Sequence, residues 1–260
     1  MNRLISKALL FFLLLASFSI QAQLSDKEKL IESFYLLDEK RYLDAQPYLE
    51  ELYEKDKENA NINYHLGLVY LKSFHEKGKE KALPLLAHAA KNASPSFSPY
   101  SAREKKAPVD AWYYYGLAQH NDYQFLEAIE SFNKFRTYIN EKHYLYKEID
   151  KQILMANYAM IAVQNPVQIK TTNLGSALNG FYPDFSPVVR IDESAMYFTS
   201  RRMRKDSSNA NIYDPIDGML YEDIYVSFNE DGVWSEAYPL NINSEGHEAT
   251  VSLSVDGRTL

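Results

Sequence analysis

A strand-forming motif that occurs twice, 64 residues apart, constrains this chain more than any other feature. The first copy runs Tyr182-Pro183-Asp184-Phe185-Ser186-Pro187, then Asp192, then Met196-Tyr197-Phe198-Thr199-Ser200-Arg201-Arg202, and later Asp223-Ile224-Tyr225. One repeat on, Asn243, Glu248, Val255-Asp256 and Thr259-Leu260 stand where Asn179, Asp184, Ile191-Asp192 and Ala195-Met196 stood. Repeated short strands imply repeated sheet units, each covering its neighbour's apolar face. The second copy stops two residues before the equivalent of Phe198, so a piece of a longer protein is expected. One unit and part of another cannot close a ring, which would leave strand edges open over residues 250–260.

The chain changes character at Pro166. Residues 26–163 carry apolar side chains three and four apart: Leu30, Phe34 and Leu37; Leu83, Leu86 and Ala90; Ile149, Ile153 and Ala156. That spacing predicts helices. Asn165-Pro166 is a helix stop, because the residue before proline is pushed out of the α region. Beyond it, short β-prone runs at 194–199, 223–228 and 232–240 are broken by Gly, Pro, Asn and Asp. The expected class is therefore α + β and multidomain, with a helical region at 23–166 and a strand region at 167–260.

The helical region also repeats. Ala45-Gln46-Pro47-Tyr48-Leu49 aligns with Ala82-Leu83-Pro84-Leu85-Leu86, and a third unit reads Ala128-Ile129-Glu130-Ser131-Phe132. Prolines at these places predict helices that begin just before them, where the N–H has no intrahelical partner anyway. Upstream lie Leu66-Gly67-x-x-Tyr70 and Trp112-x-x-x-Gly116. This pattern resembles the tetratricopeptide repeat; a plain helical bundle is the alternative. The resemblance implies that each glycine lets two paired helices approach, with the small alanine across from it. It also implies that Trp112 and Phe132 are buried between pairs. Two units are degenerate, with Ser33 at the glycine position and Asn63 at the tryptophan position, and the second carries about three extra residues between its helices. Residues 92–108 read as a long loop and 144–163 as a closing helix. Family spacing places Asn61, Tyr64, Leu68, Asp110, Tyr113, Leu117 and His120 on a concave, partner-binding groove. The alternative reading makes Asn61 and Asp110 helix caps, and Tyr64 and Tyr113 ordinary packing.

Residues 175–260 resemble the WD-repeat-like β-propeller blades of exported bacterial proteins. The resemblance implies that Phe185 and Phe198 fill the space between blades, and that Asp192 and Asp256-Gly257 make the tight turns. Glu193 in place of glycine implies a looser first turn. Residues 201–221 form a polar insertion. The order of the parts resembles the tetratricopeptide plus propeller family of outer-membrane-associated proteins in Bacteroidetes-type bacteria. Members commonly end in an OmpA-like peptidoglycan-binding domain, which these residues do not contain. The expected fold is an N-terminal α-helical tetratricopeptide solenoid followed by incomplete antiparallel β-propeller blades.

Composition narrows the function. Arg3 and Lys7 precede an apolar run at 8–20, and Ala22 offers a cleavage site, so residues 1–22 read as an export signal. The run has about 13 residues where a spanning helix needs roughly 20; an uncleaved anchor is the alternative. The chain has no cysteine, hence no disulfide and no lipid-acceptor thiol. Its net charge of −7 argues against nucleic acid as partner. No Gly-x-Ser-x-Gly, Walker loop or cysteine nucleophile is present, and His247-Glu248 lacks the second histidine of a zinc helix. Arg201-Arg202-x-Arg204-Lys205 reads as a patch for an acidic polymer or as a flexible charged loop. The acids of 217–223 read as a solvated insertion or as a weak cation site. Two functions follow. One is a non-enzymatic scaffold at the periplasmic face of the outer membrane, without cofactor or metal, gripping envelope proteins and reaching peptidoglycan through an OmpA-like domain. The other is the accessory region of an exported hydrolase whose catalytic domain lies beyond Leu260.

Overall fold

The computed structural model describes residues 24–73, 78–214, 216–255, 257 and 259; the expected export segment lies outside them. Among the described residues the architecture is α + β, with seven helices followed by an open antiparallel sheet of five strands. The helices are α1 Asp26–Asp38, α2 Tyr42–Lys55, α3 Ala60–Lys72, α4 Gly78–Lys91, α5 Ala111–Asn121, α6 Phe125–Arg136 and α7 Tyr146–Gln164. No helix among these residues is long and apolar enough to cross a membrane.

Local chemistry sets the helix starts. Ser25 and Glu28 form a capping box at α1, each side chain accepting from the other's backbone N–H. Asn59 caps α3, its Oδ1 accepting from Asn61 N and Ile62 N. The prolines behave otherwise than expected. Pro47 and Pro84 lie well inside α2 and α4 rather than at their starts. Both side chains are solvent-exposed, so water reaches the carbonyl that each proline leaves without a helical partner.

Each helix packs on the helices before and after it in the chain, and the odd-numbered helices α1, α3, α5 and α7 also touch in succession. The glycines permit this closeness. A Cβ on Gly116 would stand 2.6 Å from Phe132 Cε1, and one on Gly67 would stand 2.7 Å from Leu86 Cγ. The side chain across from each glycine is thus a large one, four residues beyond the alanine that the repeat pattern suggested. Ser33, at the corresponding position of α1, is fully buried, with its hydroxyl donating to Leu30 O at 2.8 Å. Trp112 departs from expectation. It is half-buried, bridging the core of the first helices and that of α5 to α7, whereas Phe132 is fully buried.

The strands are β1 Asp184–Val189, β2 Ala195–Ser200, β3 Asp223–Glu230, β4 Val233–Trp234 and β5 Tyr238–Pro239. They run in the order β1-β2-β3-β4, with β5 also on β3. Pro187 fits an edge strand because β1 shifts register between Phe185 and Val188, which removes the need for its N–H. Phe198 is buried with Leu178, Tyr225 and Ala237, while Phe185 remains more than a third exposed.

The 64-residue repeat is written into the backbone. Gly180 N donates to Asp184 Oδ2, and Ser244 N donates to Glu248 Oε2, both at 3.0 Å. Arg190 N reaches Ala195 O and Ser254 N reaches Thr259 O. Glu193 N reaches Arg190 O and Gly257 N reaches Ser254 O. The first turn is therefore no looser than the second. Glu193 is held at φ 56° where Gly257 has φ 66°, a left-handed conformation that crowds a Cβ. Glu193→Gly should accordingly stabilise the strand region by up to about 1 kcal/mol, read from the urea midpoint of strand-region fluorescence. A loss of stability would mean that the Glu193 side chain makes a compensating contact.

Candidate functional site

The first three odd-numbered helices, with α2 and the loop before α5, surround a groove of about 500 Å³. Its walls carry Phe34 and Asp38 from α1, Tyr42 from α2, Tyr64, His65, Leu68 and Lys72 from α3, and Tyr114 from α5. Tyr144, just before α7, and Phe97, Pro99 and Tyr100 from the 92–110 loop complete it. The loop is anchored at its base on α3. Asn61 N donates to Lys105 O and Asn61 Nδ2 to Glu104 O at 3.2 Å. Its tip crosses to α1, where Tyr100 Oη donates to Asp38 Oδ2 at 2.6 Å and the ring stacks on Tyr35.

At the α5 end of the groove, Asp110 gathers donors. Tyr144 Oη donates to Asp110 Oδ2 at 2.8 Å, and His143 Nε2 lies 3.3 Å from Oδ1. Tyr144 is also hydrogen-bonded to Tyr114. Burial and the surrounding negative groups push the Tyr64 and Tyr144 hydroxyls well above the ordinary tyrosine range. All the tyrosines here are therefore neutral donors at physiological pH.

His65 is held neutral by burial, which lowers its pKa to about 4; its Nδ1–H donates to Asn61 O at 2.8 Å. In the unfolded chain the same imidazole takes up a proton near pH 6.5. The native state resists that proton, so stability should be intact above about pH 6.5 and decline as the pH falls toward 4. The loss should be on the order of 2–3 kcal/mol by the lower limit. Urea midpoints of the helical signal at pH 7 and 4.5 test this. His65→Gln should flatten the dependence, and an unchanged slope would assign it to other groups.

The structure brings Tyr64, Leu68 and Asp110 together in the groove and sends the other four expected residues elsewhere. Asn61 is fully buried behind it, bonded to the loop, and is not the cap of α3. Asp110 makes no capping bond either; its carboxylate serves Tyr144. Tyr113 is buried against Phe132 and Phe135 of α6, which raises its pKa to about 12, and Leu117 packs beside it. His120 packs edge-on against Phe125. Sequence spacing missed Tyr114 by one position, because α6 and α7 claim Tyr113. Tyr42, Tyr100 and Tyr144 lie outside the first helices of the repeat pattern and carry no signal in it.

In the strand region the basic cluster is internally paired, neither a free patch nor a loose loop. Arg201, buried, meets Glu222 at 2.7 Å, Asp214 at 3.6 Å and also Asp217. Arg202 bonds Asp184 at 2.6 Å and lies over the rings of Phe198 and Tyr225. Arg204 forks onto buried Asp223, and Lys205 pairs with Glu236. The acids of the 217–223 run thus neutralise arginines. Against this geometry, no protein-family model matches the chain and no curated protein is similar to it.

Proposed function

We propose that this chain is a non-enzymatic scaffold of the bacterial envelope, which holds another envelope protein in the tyrosine-lined groove. In this reading the stacked helices are a tetratricopeptide solenoid and the sheet is the start of a propeller. The protein works at the periplasmic face of the outer membrane and is tied to peptidoglycan through an OmpA-like domain, as in the family its sequence resembles. The observation that carries the reading is the groove itself. Tyr42, Tyr64, Tyr114 and Tyr144 converge on one concavity from successive parts of the helical stack. Tyrosine offers large contact area with few rotamers to freeze, and a hydroxyl for a peptide backbone. The alternation in which odd-numbered helices touch one another supports the solenoid assignment.

Tyr114→Ala combined with Tyr144→Ala removes the exposed Tyr144 ring and the half-buried Tyr114 ring, which also packs on both helical cores, so the fold of the variant is checked first by circular dichroism. A photo-crosslinker at Leu37, on the groove wall, should form an adduct with an envelope protein in the native chain. The double variant should lower its yield at least tenfold at unchanged circular dichroism. Equal yield in both would move the partner site away from the groove.

A further inference from the structure

We infer that the outer face of α7 joins two copies of this chain, the two helices lying side by side in opposite directions. The inference is independent of the groove. Residues 152–169, which span the second half of α7 and the segment after it, contain no charged residue. Leu154, Tyr158 and Ile161 recur four and three residues apart, on the side turned away from buried Ile149 and Ala156. That buried side packs on α6 and α5. Met155 flanks the outer stripe, and Val167 and Ile169 follow it beyond the helix. These six side chains are between 44% and 80% exposed. The polar groups beside them are already engaged. Asn157 Nδ2 donates to Ile153 O and Asn165 Nδ2 to Ile161 O, both at 2.9 Å, so each amide is turned back onto its own helix.

Area and charge select a second copy as the occupant. The six side chains leave on the order of 800 Å² of surface uncovered, the share that one partner brings to a stable interface and more than monomers usually leave open. The charges of α7 are Lys147, Glu148, Asp150 and Lys151; all lie in its first half, and they cancel. A lipid surface calls for Lys or Arg along the flanks of the apolar stripe, and the second half of α7 has neither. A charged protein surface would find no counter-charge on the stripe. A second copy in the opposite direction matches it. With the two-fold axis beside Tyr158, Leu154 of each copy meets Ile161 of the other. Lys151 then reaches the last turn of the opposite helix, which has no basic residue of its own to balance its unpaired carbonyls. Lys151 is exposed and held only loosely, 3.6 Å from Glu148, so it can turn that way. Two-fold pairing of this kind closes on itself and leaves no further copy to add.

The test begins with sedimentation velocity of the purified chain, which should show a monomer and a dimer in a concentration-dependent ratio. Ile161→Glu should raise the dissociation constant roughly tenfold or more at unchanged circular dichroism, because that side chain is already exposed. Adding Leu154→Lys to Ile161→Glu should restore much of the dimer, since the new charges of opposite sign then meet across the pair. The chain has no cysteine, so a single introduced one reports the contact directly. Tyr158→Cys should give a disulfide-linked dimer under mild oxidation, and Glu130→Cys, exposed on α6, should not. A monomer at every concentration, or equal linking at the two cysteine positions, would overturn the inference. So would a dimer that Ile161→Glu leaves intact, which would place the association on the open strand edges. Failure of Leu154→Lys to rescue Ile161→Glu would overturn the opposed arrangement. A monomer that floats with phosphatidylethanolamine–phosphatidylglycerol vesicles, and loses them on Ile161→Glu, would make the face a lipid contact instead.

Discussion

Phe132→Ala should lower the stability of the helical region by about 3–5 kcal/mol, the range for emptying a buried aromatic site. The ring is fully buried and lies against the bare backbone of Gly116, with the Tyr113 ring centroid 5.6 Å away. Phe135, Leu145 and Ile149 share the same core. Helical backbone forms one wall of the site, so the hole cannot collapse and most of the cavity cost remains. The converse change is informative too. Gly116→Ala places a methyl 2.6 Å from Phe132 Cε1 and should cost about 1–3 kcal/mol by overpacking. With Phe132→Leu, which vacates that volume, part of the loss should return, and the coupling in a double-mutant cycle measures the contact. Urea denaturation followed by far-ultraviolet circular dichroism reads the four proteins of the cycle and the Phe132→Ala variant. Additive single effects, or a Phe132→Ala protein within a few tenths of wild type, would mean that α5 and α6 are not in such close contact.

Arg201→Met should cost the strand region a comparable amount, about 3–5 kcal/mol. The guanidinium is 8% exposed and sits among Asp214, Asp217 and Glu222, whose side chains are 9%, 24% and 19% exposed. Removing the guanidinium leaves three carboxylates close together in a poorly solvated place, next to His247. The penalty comes from the stranded acids rather than from the lost contact. Arg201→Met with Glu222→Gln should therefore be more stable than Arg201→Met alone. Lysine is a poor substitute, because one ammonium cannot address carboxylates on several sides as the planar fork does. Tryptophan fluorescence from Trp234, in β4 of the same sheet, follows the transition. If Arg201→Met melts like wild type, the insertion is not held by this cluster.

Much of the fold was legible because its information is local. The three- and four-residue apolar spacing and the stop at Asn165-Pro166 concern neighbours in the chain, and helices stand where they predicted them. The 64-residue repeat was equally readable, and its two copies share three backbone N–H bonds at equivalent positions. Even the insertion in the second helical unit can be counted. Gly116 meets a residue 16 positions on and Gly67 one 19 positions on, a difference of three.

What sequence spacing could not decide were questions about which of two neighbours faces inward, and what lies opposite. Tyr113 and Tyr114 are equivalent by composition; the placement of α6 and α7 buries one and leaves the other to the groove. Pro47 and Pro84 are tolerated inside helices because those turns face water, a fact about the stack rather than the segment. The run Arg201-Arg202-x-Arg204-Lys205 looks like a basic patch when read in line. Its counter-charges, Asp184, Asp214, Asp217, Glu222, Asp223 and Glu236, come from positions up to 31 residues away and are delivered by the sheet and its insertion. Sequence alone thus determined the elements, their order and their repetition, since those depend on backbone sterics and spacing along the chain. Tertiary structure decided which tyrosines share a groove and which charges are free, since burial and charge pairing depend on atoms that only folding brings together.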